Sequence, residues 1–228
     1  ASYEAKRRGV KTGTALWEAR RACPDAVVVP PRFELYRRYS HLARRIYYDY
    51  TDLVEPFGPD EAWLDITNSV HLSGGDPELV AQEISERVRT ELGLSVSVGL
   101  SWNKIFAKFG SDHDKPDGFM CVTPENCMRL VWSAPASDLL YVGPATARKL
   151  ARVGILTIGQ LAQAPDELVR GTLGRMGVVV RSFARGLDES PVRPLTSRVD
   201  GEQCLELAAR GLPLVTSQLD VGEGVVTV

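Results

Sequence analysis

Apolar residues that recur every three or four positions predict amphipathic helices in the first half of the chain. The longest such segment covers residues 34–50, where Leu35, Tyr39, Leu42 and Ile46 share one face and arginines fill the other side. Its interleaved tyrosines are more typical of core and rim packing than of platforms for base stacking. Similar spacing and helix-start signals predict further helices over residues 13–23, 76–91 and 103–112.

Alternation of apolar and polar residues predicts strands between these helices. In residues 52–67, Leu53 and Phe57 precede a turn signal near Gly58–Asp60, and apolar residues alternate with other residues after it. This pattern is the signature of a β-hairpin. Residues 95–100 and 119–123 are also predicted to be strands.

The pattern changes near residues 121–124, where a mixed order gives way to helices joined by short Gly and Pro turns. Pro124 is predicted to occupy the first position of a helix. The switch indicates a domain boundary at this point. Residues 191–228 are poorly patterned and are interpreted as a linker with one or two strands. The sequence therefore predicts an α+β protein with a mixed or antiparallel sheet, flanking helices and an all-helical C-terminal part.

Composition narrows the class of protein. The 228 residues are 44% hydrophobic and 25% charged, which is ordinary for a soluble globular protein. No apolar run approaches the roughly 20 residues that cross a bilayer, and the first residues do not resemble a signal peptide. The four cysteines are scattered without a CxxC pair, so free thiols are expected rather than zinc. The chain lacks an initiator Met, which suggests a fragment.

Charge is distributed unevenly although the formal net charge is only −2. Residues 1–50 are rich in Lys and Arg, whereas residues 51–95 are strongly acidic. A basic region beside an acidic one suits a protein that grips phosphates on one surface and holds cations on another. Solvated helix faces explain the same distribution equally well.

Asp60 and Glu61 stand side by side at the predicted hairpin turn. Neighbouring side chains on a regular strand point to opposite faces, but a turn allows both to face one site. Paired carboxylates are ligands for hard cations such as Mg²⁺, and two such ions would serve an in-line phosphoryl displacement. Acidic pairs in turns are common as solvated groups too, so the pattern alone is weak.

Several cations are candidates for contact with phosphates. Lys6 lies near Tyr3 at the start of the chain, Lys115 lies in a polar loop, and Lys104 and Lys108 share one face of a predicted helix. Lysines supply the point charges that a triphosphate needs. Taken singly, each is more often a solvated surface cation.

Residues 139–165 predict two helices joined by glycine-containing turns. Gly143 leads into the first helix, which starts near Thr146, and Gly154 begins the turn into the second. A glycine turn before a helix N-terminus exposes backbone N–H groups to an anion, and helix-hairpin-helix modules grip a DNA phosphate in this way. An ordinary αα-hairpin is the alternative.

Five blocks in this order resemble the Y-family DNA polymerases, the translesion enzymes, over roughly residues 2–193. The blocks are SYEAKRRGVKTG, CPDAVVVPPRFELYRRYS, PFGPDEAWLDIT, SVSVGLSWNKIFAKFGSDHDKPDG and LLYVGPATARKLARVGILTIGQL. The resemblance implies small fingers over residues 1–32, a palm over 33–121 and an all-helical thumb with a helix-hairpin-helix over 122–190. Residues 191–228 would be a linker or the start of a little finger.

The resemblance also implies a role for each candidate residue. Asp60 and Glu61 match the adjacent palm acids that bind two catalytic Mg²⁺ ions. The remaining matches are Tyr3, Lys6 and Lys115 for the incoming deoxynucleoside triphosphate, and Lys104, Lys108, Gly143 and Thr146 for the primer-template DNA.

The implied function is a DNA-directed DNA polymerase that extends a primer in DNA damage tolerance and repair, in the bacterial cytoplasm at the nucleoid. A sliding clamp would be a further partner through a missing C-terminal segment, and no membrane is expected. The family's first palm strand, with another metal-binding Asp, has no match here, so residues 1–228 alone are expected to be almost inactive. Lys6 and the Gly58–Pro59 pair also depart from the family motifs. These departures keep open a second hypothesis, a non-catalytic DNA-binding protein on the same scaffold.

Overall fold

The structure is a computed structural model that describes residues 1–194 and 225–227. Its contacts divide the chain into a first unit, Ala1–Tyr36, and a second unit that begins at Arg37. The helices are α1 (Tyr3–Arg7), α2 (Leu16–Ala22), α3 (Phe33–Tyr48), α4 (Pro77–Leu92), α5 (Lys104–His113), α6 (Cys127–Leu130), α7 (Pro144–Arg152), α8 (Ile158–Gln163), α9 (Asp166–Leu173) and α10 (Arg175–Ala184). The strands are β1 (Val54–Pro56), β2 (Ala62–Asp65), β3 (Val98–Ser101), β4 (Phe119–Cys121) and β5 (Val225–Thr227).

The first unit contains α1 and α2. The Ser2 hydroxyl caps α1 by accepting a hydrogen bond from the Ala5 N–H at 3.3 Å. An ion pair between Arg8 and Asp25, 2.5 Å apart, links the end of α1 to the segment after α2. Cys23 is buried, as is typical of a free thiol. The helix predicted over residues 13–23 forms as α2.

The second unit is built around one mixed sheet with strand order β1-β2-β5-β3-β4. β1 and β2 form the predicted antiparallel hairpin, in which Val54 pairs with Leu64 and Pro56 with Ala62. β3 and β4 run parallel because α5 crosses over from one to the other. β5 lies between β2 and β3 and is antiparallel to both, so it joins the two halves of the sheet. The predicted α+β character with a mixed sheet is confirmed.

Helices cover both faces of this sheet. Alternate residues of β2 point to opposite sides, so Leu64 joins a core with α3 and α4, whereas Trp63 packs beside α5. α4 begins at its predicted cap, where the Asp76 carboxylate accepts a hydrogen bond from the Glu78 N–H. α5 is buried over most of its length because the sheet lies on one side of it and the later helices on the other.

The chain from α6 to α10 is helical and buries a common core around Leu150, Ile158 and Leu161. Thr157 and Gln160 form a capping box at the start of α8. The predicted helices on either side of Gly154 are therefore present as α7 and α8.

The prediction of a helix that starts at Pro124 is wrong. α6 begins at Cys127, after a turn in which the Asn126 side chain accepts a hydrogen bond from the Thr123 N–H at 2.9 Å. Asn126 also donates to the Cys121 carbonyl at 3.0 Å, so this turn is tied back to the end of β4. Local side-chain bonds of this kind compete with the first turn of a helix.

Most of residues 191–228, interpreted as a linker with strands, lies outside the described residues, as does Cys204. The described part includes β5, one of the strands expected there, and Val192, which packs with Trp63. Among the described residues, no helix is both long and apolar enough to span a membrane.

Candidate active site

A tight turn between β1 and β2 carries the acidic pair. The Phe57 N–H donates to the Glu61 carbonyl at 2.8 Å, which closes the turn over three intervening residues. Gly58 adopts a φ of +95°, a conformation that side chains other than glycine rarely take, and so permits the reversal. Asp60 is exposed and Glu61 is half-buried. The predicted turn is confirmed, and it presents both carboxylates at one end of the hairpin.

A buried lysine of α5 holds the second of these acids. Lys108 Nζ lies 2.9 Å from Glu61 Oε1 and 2.7 Å from Asp112 Oδ2. Asp112 Oδ1 in turn lies 2.7 Å from Lys115 Nζ. The four side chains therefore form a row of alternating charge that runs from the hairpin turn to the loop after α5.

The row lowers the pKa of Asp112. Burial by itself raises the pKa of this carboxyl, but hydrogen bonds from Lys108 and Lys115 outweigh the effect of burial. The Asp112 carboxylate is consequently the form that the fold stabilises at neutral pH.

A second buried lysine, one turn earlier on α5, has a different partner. Lys104 Nζ lies 2.5 Å from Glu55 Oε2, and it is 5.0 Å from the centre of the Trp63 ring. The same Glu55 oxygen accepts a hydrogen bond from the Arg193 N–H at 2.6 Å. Glu55 therefore links β1, α5 and the segment that follows the helical part.

The close approach of α5 to the sheet depends on glycine. A Cβ built at Gly99 of β3 would lie 1.9 Å from the Ala107 carbonyl oxygen and 2.5 Å from the Ser111 N. Gly110 of α5 faces Gly99 in return, with 3.1 Å between its own ideal Cβ and the Gly99 Cα. This packing places Lys108, the neighbour of Ala107, within hydrogen-bond distance of the hairpin turn.

The donor set at the turn suits a hard cation. Asp60 and Glu61 offer carboxylate oxygens, the ligands that Mg²⁺ prefers, together with space for water and phosphate oxygens on the exposed side of Asp60. Within residues 1–194 and 225–227, no group of three or more His, Cys, Asp or Glu side chains could together hold a metal ion. Binding of Mg²⁺ by Asp60 and Glu61 therefore stays a prediction.

The predicted triphosphate contacts lie in different parts of the fold. Tyr3 and Lys6 belong to α1 in the first unit, where the Lys6 ammonium lies 4.9 Å from the centre of the Tyr3 ring. Lys115 belongs to the second unit, in the loop after α5, and is paired with Asp112. Contact of these three side chains with a nucleotide stays a prediction.

The predicted DNA contacts also divide into two groups. The ammonium groups of Lys104 and Lys108 lie in buried ion pairs, with only 8% of each side chain exposed, so neither is the solvated surface cation that sequence reasoning weighed as the alternative. Gly143 is exposed and forms the N-cap of α7, and Thr146 is half-buried in the first turn of that helix. Binding of DNA by these residues stays a prediction.

Sequence reasoning missed Glu55 and Asp112. Asp112 stands four residues after Lys108, and this spacing on a helix is a recognisable signal for an ion pair. Glu55 has no such signal, because its partner Lys104 is 49 positions away in the chain.

Comparison with known proteins identifies the class. Residues 1–112 match the impB/mucB/samB family. The fold is similar to that of DinB from Sulfolobus solfataricus, with a TM-score of 0.78, 27% identity and coverage of 85% of this chain and 57% of that chain. An insertion ternary complex of Dbh DNA polymerase gives a TM-score of 0.76 and 28% identity, over 84% of this chain and 56% of that chain. The chain is therefore similar in sequence to this family over residues 1–112, and its fold is similar to that of Y-family DNA polymerases.

The curated relatives in this family carry a more specific name. DNA polymerase IV of Acetivibrio thermocellus is 47% identical over 191 residues, which are 84% of this chain and 48% of that protein. DNA polymerase IV 2 of Agrobacterium fabrum is 38% identical over 221 residues, 96% of this chain and 62% of that protein. The chain thus spans about half the length of the first of these relatives.

Proposed function

We propose that the protein to which this chain belongs is a DNA-directed DNA polymerase of the translesion type, which adds deoxynucleotides to the 3′ end of a primer. The observation that carries the proposal is the turn at Gly58, which presents Asp60 and Glu61 side by side at the end of the β1–β2 hairpin. Its match to the impB/mucB/samB family over residues 1–112 and its likeness to enzymes named DNA polymerase IV support the reaction class.

In this proposal Asp60 and Glu61 hold divalent cations against the nucleotide. Two Mg²⁺ ions, when bound, supply activation of the attacking primer hydroxyl and neutralisation of the charge on the leaving pyrophosphate. The chain's own part is to fix the carboxylates, since the Gly58 turn places both residues at one end of the hairpin and Lys108 of α5 pairs with Glu61. Deoxynucleoside triphosphates and primer-template DNA are the proposed substrates.

The other candidate residues have proposed roles in binding the nucleotide or the DNA. Tyr3 and Lys6 of α1, and Lys115 after α5, would contact the triphosphate. Gly143 and its neighbour Pro144 begin α7, whose first N–H groups would meet a DNA backbone phosphate without reading sequence. A cytoplasmic, nucleoid-associated location and a sliding-clamp partner accompany the proposal.

Primer extension by the full-length protein tests the proposal. Asp60→Ala is expected to lower kcat/KM by about 10²- to 10³-fold, the effect of several kcal/mol of lost charge stabilisation in the transition state. Asp52→Ala is the matched control, because it removes an exposed carboxylate just before the same hairpin. Residues 1–228 alone are expected to extend a primer poorly.

Three outcomes are distinguishable. Loss of extension with Asp60→Ala but not with Asp52→Ala supports the proposal. An Asp60→Ala protein as active as wild type refutes it. DNA binding that weakens with salt, without incorporation by the wild type under Mg²⁺ or Mn²⁺, would instead identify a non-catalytic DNA-binding protein.

A further inference from the structure

Lys108 occupies the position of a counter-ion for the proposed metal ligand Glu61. Its side chain is only 8% exposed, and its ammonium lies 2.9 Å from Glu61 Oε1. A buried ammonium needs compensating negative charge, and Glu61 supplies part of it. The Glu61 carboxylate therefore has two competing uses, as a partner of Lys108 and as a ligand of a divalent cation.

Asp112 makes an exchange between these two uses possible. Its Oδ2 lies 2.7 Å from Lys108 Nζ, so the ammonium keeps a carboxylate partner when Glu61 turns to a cation. No large movement of α5 is required, because the helix is fixed against β3 by the contact between Gly99 and Gly110. Lys108 is thus held within reach of Glu61 whether or not a cation is bound.

We propose that Lys108 is a positioning residue that holds Glu61 in the cation-free protein, and that it sets the cation concentration at which the site fills. This inference rests on the proposed function only in taking Asp60 and Glu61 as the cation ligands. A divalent cation that binds Glu61 at Oε1 displaces the ammonium from that oxygen, and one that binds at either oxygen comes close to the positive charge of Lys108. Lys108 therefore weakens cation binding and keeps Glu61 oriented until the cation arrives.

The proposal predicts that the affinity for a divalent cation increases when the charge of Lys108 is removed. Lys108→Met keeps the length and apolar stem of the side chain but removes the charge, so Mn²⁺ is expected to bind more tightly, on the order of tenfold. Lys108→Arg retains the charge and is expected to stay close to wild type. Lys108→Gln, neutral but still able to donate to both carboxylates, gives the same test if the Met variant does not fold.

Lys104 offers a matched control on the same helix. It is as buried as Lys108, with 8% of its side chain exposed, and it also forms an ion pair, but its partner is Glu55. Lys104→Met changes the net charge by the same amount and leaves Glu61 untouched. The gain in Mn²⁺ affinity is therefore expected to be clearly smaller than with Lys108→Met, because Lys104 pairs with Glu55 and does not contact Glu61.

The experiment measures Mn²⁺ binding by electron paramagnetic resonance on the full-length protein without DNA or nucleotide, with the melting temperature of each variant as a check on folding. A gain with Lys108→Met that disappears in the Glu61→Gln background supports the proposal. A gain that persists in that background, an equal gain with Lys104→Met, or no binding by wild type and Lys108→Met alike overturns it. Since the readout needs no incorporation, failure of the polymerase assay and failure of this inference are separate results.

Discussion

Gly99→Ala tests whether the position of α5 depends on a single missing side chain. The substituted Cβ would lie 1.9 Å from the Ala107 carbonyl oxygen and 2.5 Å from the Ser111 N, and both of those atoms are backbone. Cβ contacts below 3.0 Å are essentially never seen in proteins. Because no rotamer change can relieve the clash, α5 has to move away from β3 by about 1 Å, a distance at which close-packed neighbours lose contact.

The cost follows from how tightly α5 is enclosed. Phe106 and Ala107 are completely buried, so a shift opens gaps on the sheet side and overpacks the helical side. Overpacking, with strain passed on to the Lys108–Glu61 ion pair, is expected to lower the free energy of unfolding by about 3–5 kcal/mol. For a chain of this size that corresponds to a fall in melting temperature of roughly 6–20 °C.

Thermal unfolding followed by circular dichroism measures the effect. Gly171→Ala is the control, because Gly171 lies within α9 and a Cβ there would have nothing within 4 Å. That variant is expected to be about 0.5–1 kcal/mol more stable than wild type, since alanine favours a helix. A Gly99→Ala protein that melts within about 2 °C of wild type would show that the sheet–helix spacing is not set by this glycine.

Two further predictions concern buried polar groups. Thr227 of β5 is 2% exposed, and its hydroxyl has no hydrogen-bond partner among the described residues. Thr227→Val is therefore expected to raise the free energy of unfolding, measured by urea denaturation, by about 1 kcal/mol. An unchanged or lower value would mean that the hydroxyl is satisfied. For Asp112, burial raises the pKa, but the interactions with Lys108 and Lys115 together lower it by more. The folded pKa therefore lies below the unfolded one. Its stabilising effect is therefore complete above about pH 4 and is lost as the pH falls through the folded pKa. The difference in unfolding free energy between wild type and Asp112→Asn should shrink in that acidic range, whereas a constant difference would contradict this account.

The elements with local signals were predictable. α4 carries an Asp before a Pro at its start and a Gly at its end, and the structure places the helix between those residues. The β1–β2 hairpin was likewise predicted from alternating residues on either side of a turn signal at Gly58. The signal is local, because glycine readily adopts the positive φ that this turn requires. Pro124 shows the limit of such signals, since the Asn126 side chain satisfies the turn and the helix begins later.

The candidate site was predictable only in part. Asp60 and Glu61 were found because they are adjacent at a turn, whereas the buried pairing of Lys108 with Glu61 joins residues 47 positions apart. Lys104 and Lys108 look like surface cations in the sequence, because helical spacing shows that they share a face but not what covers that face. The insertion of β5 between β2 and β3 was also hidden, since strand order depends on long-range pairing.

The sequence by itself determined the helices that carry local cap signals, the hairpin turn and the adjacent acids, because capping, alternation and glycine conformations act over a few residues. Only the tertiary structure decided which charges are buried and which partners they have. Gly99 allows α5 to lie against β3, and that contact turns two apparently solvated lysines into the counter-ions of Glu55 and Glu61. The physical reason is that an ion pair between distant residues forms only after packing has brought them together and removed the water between them.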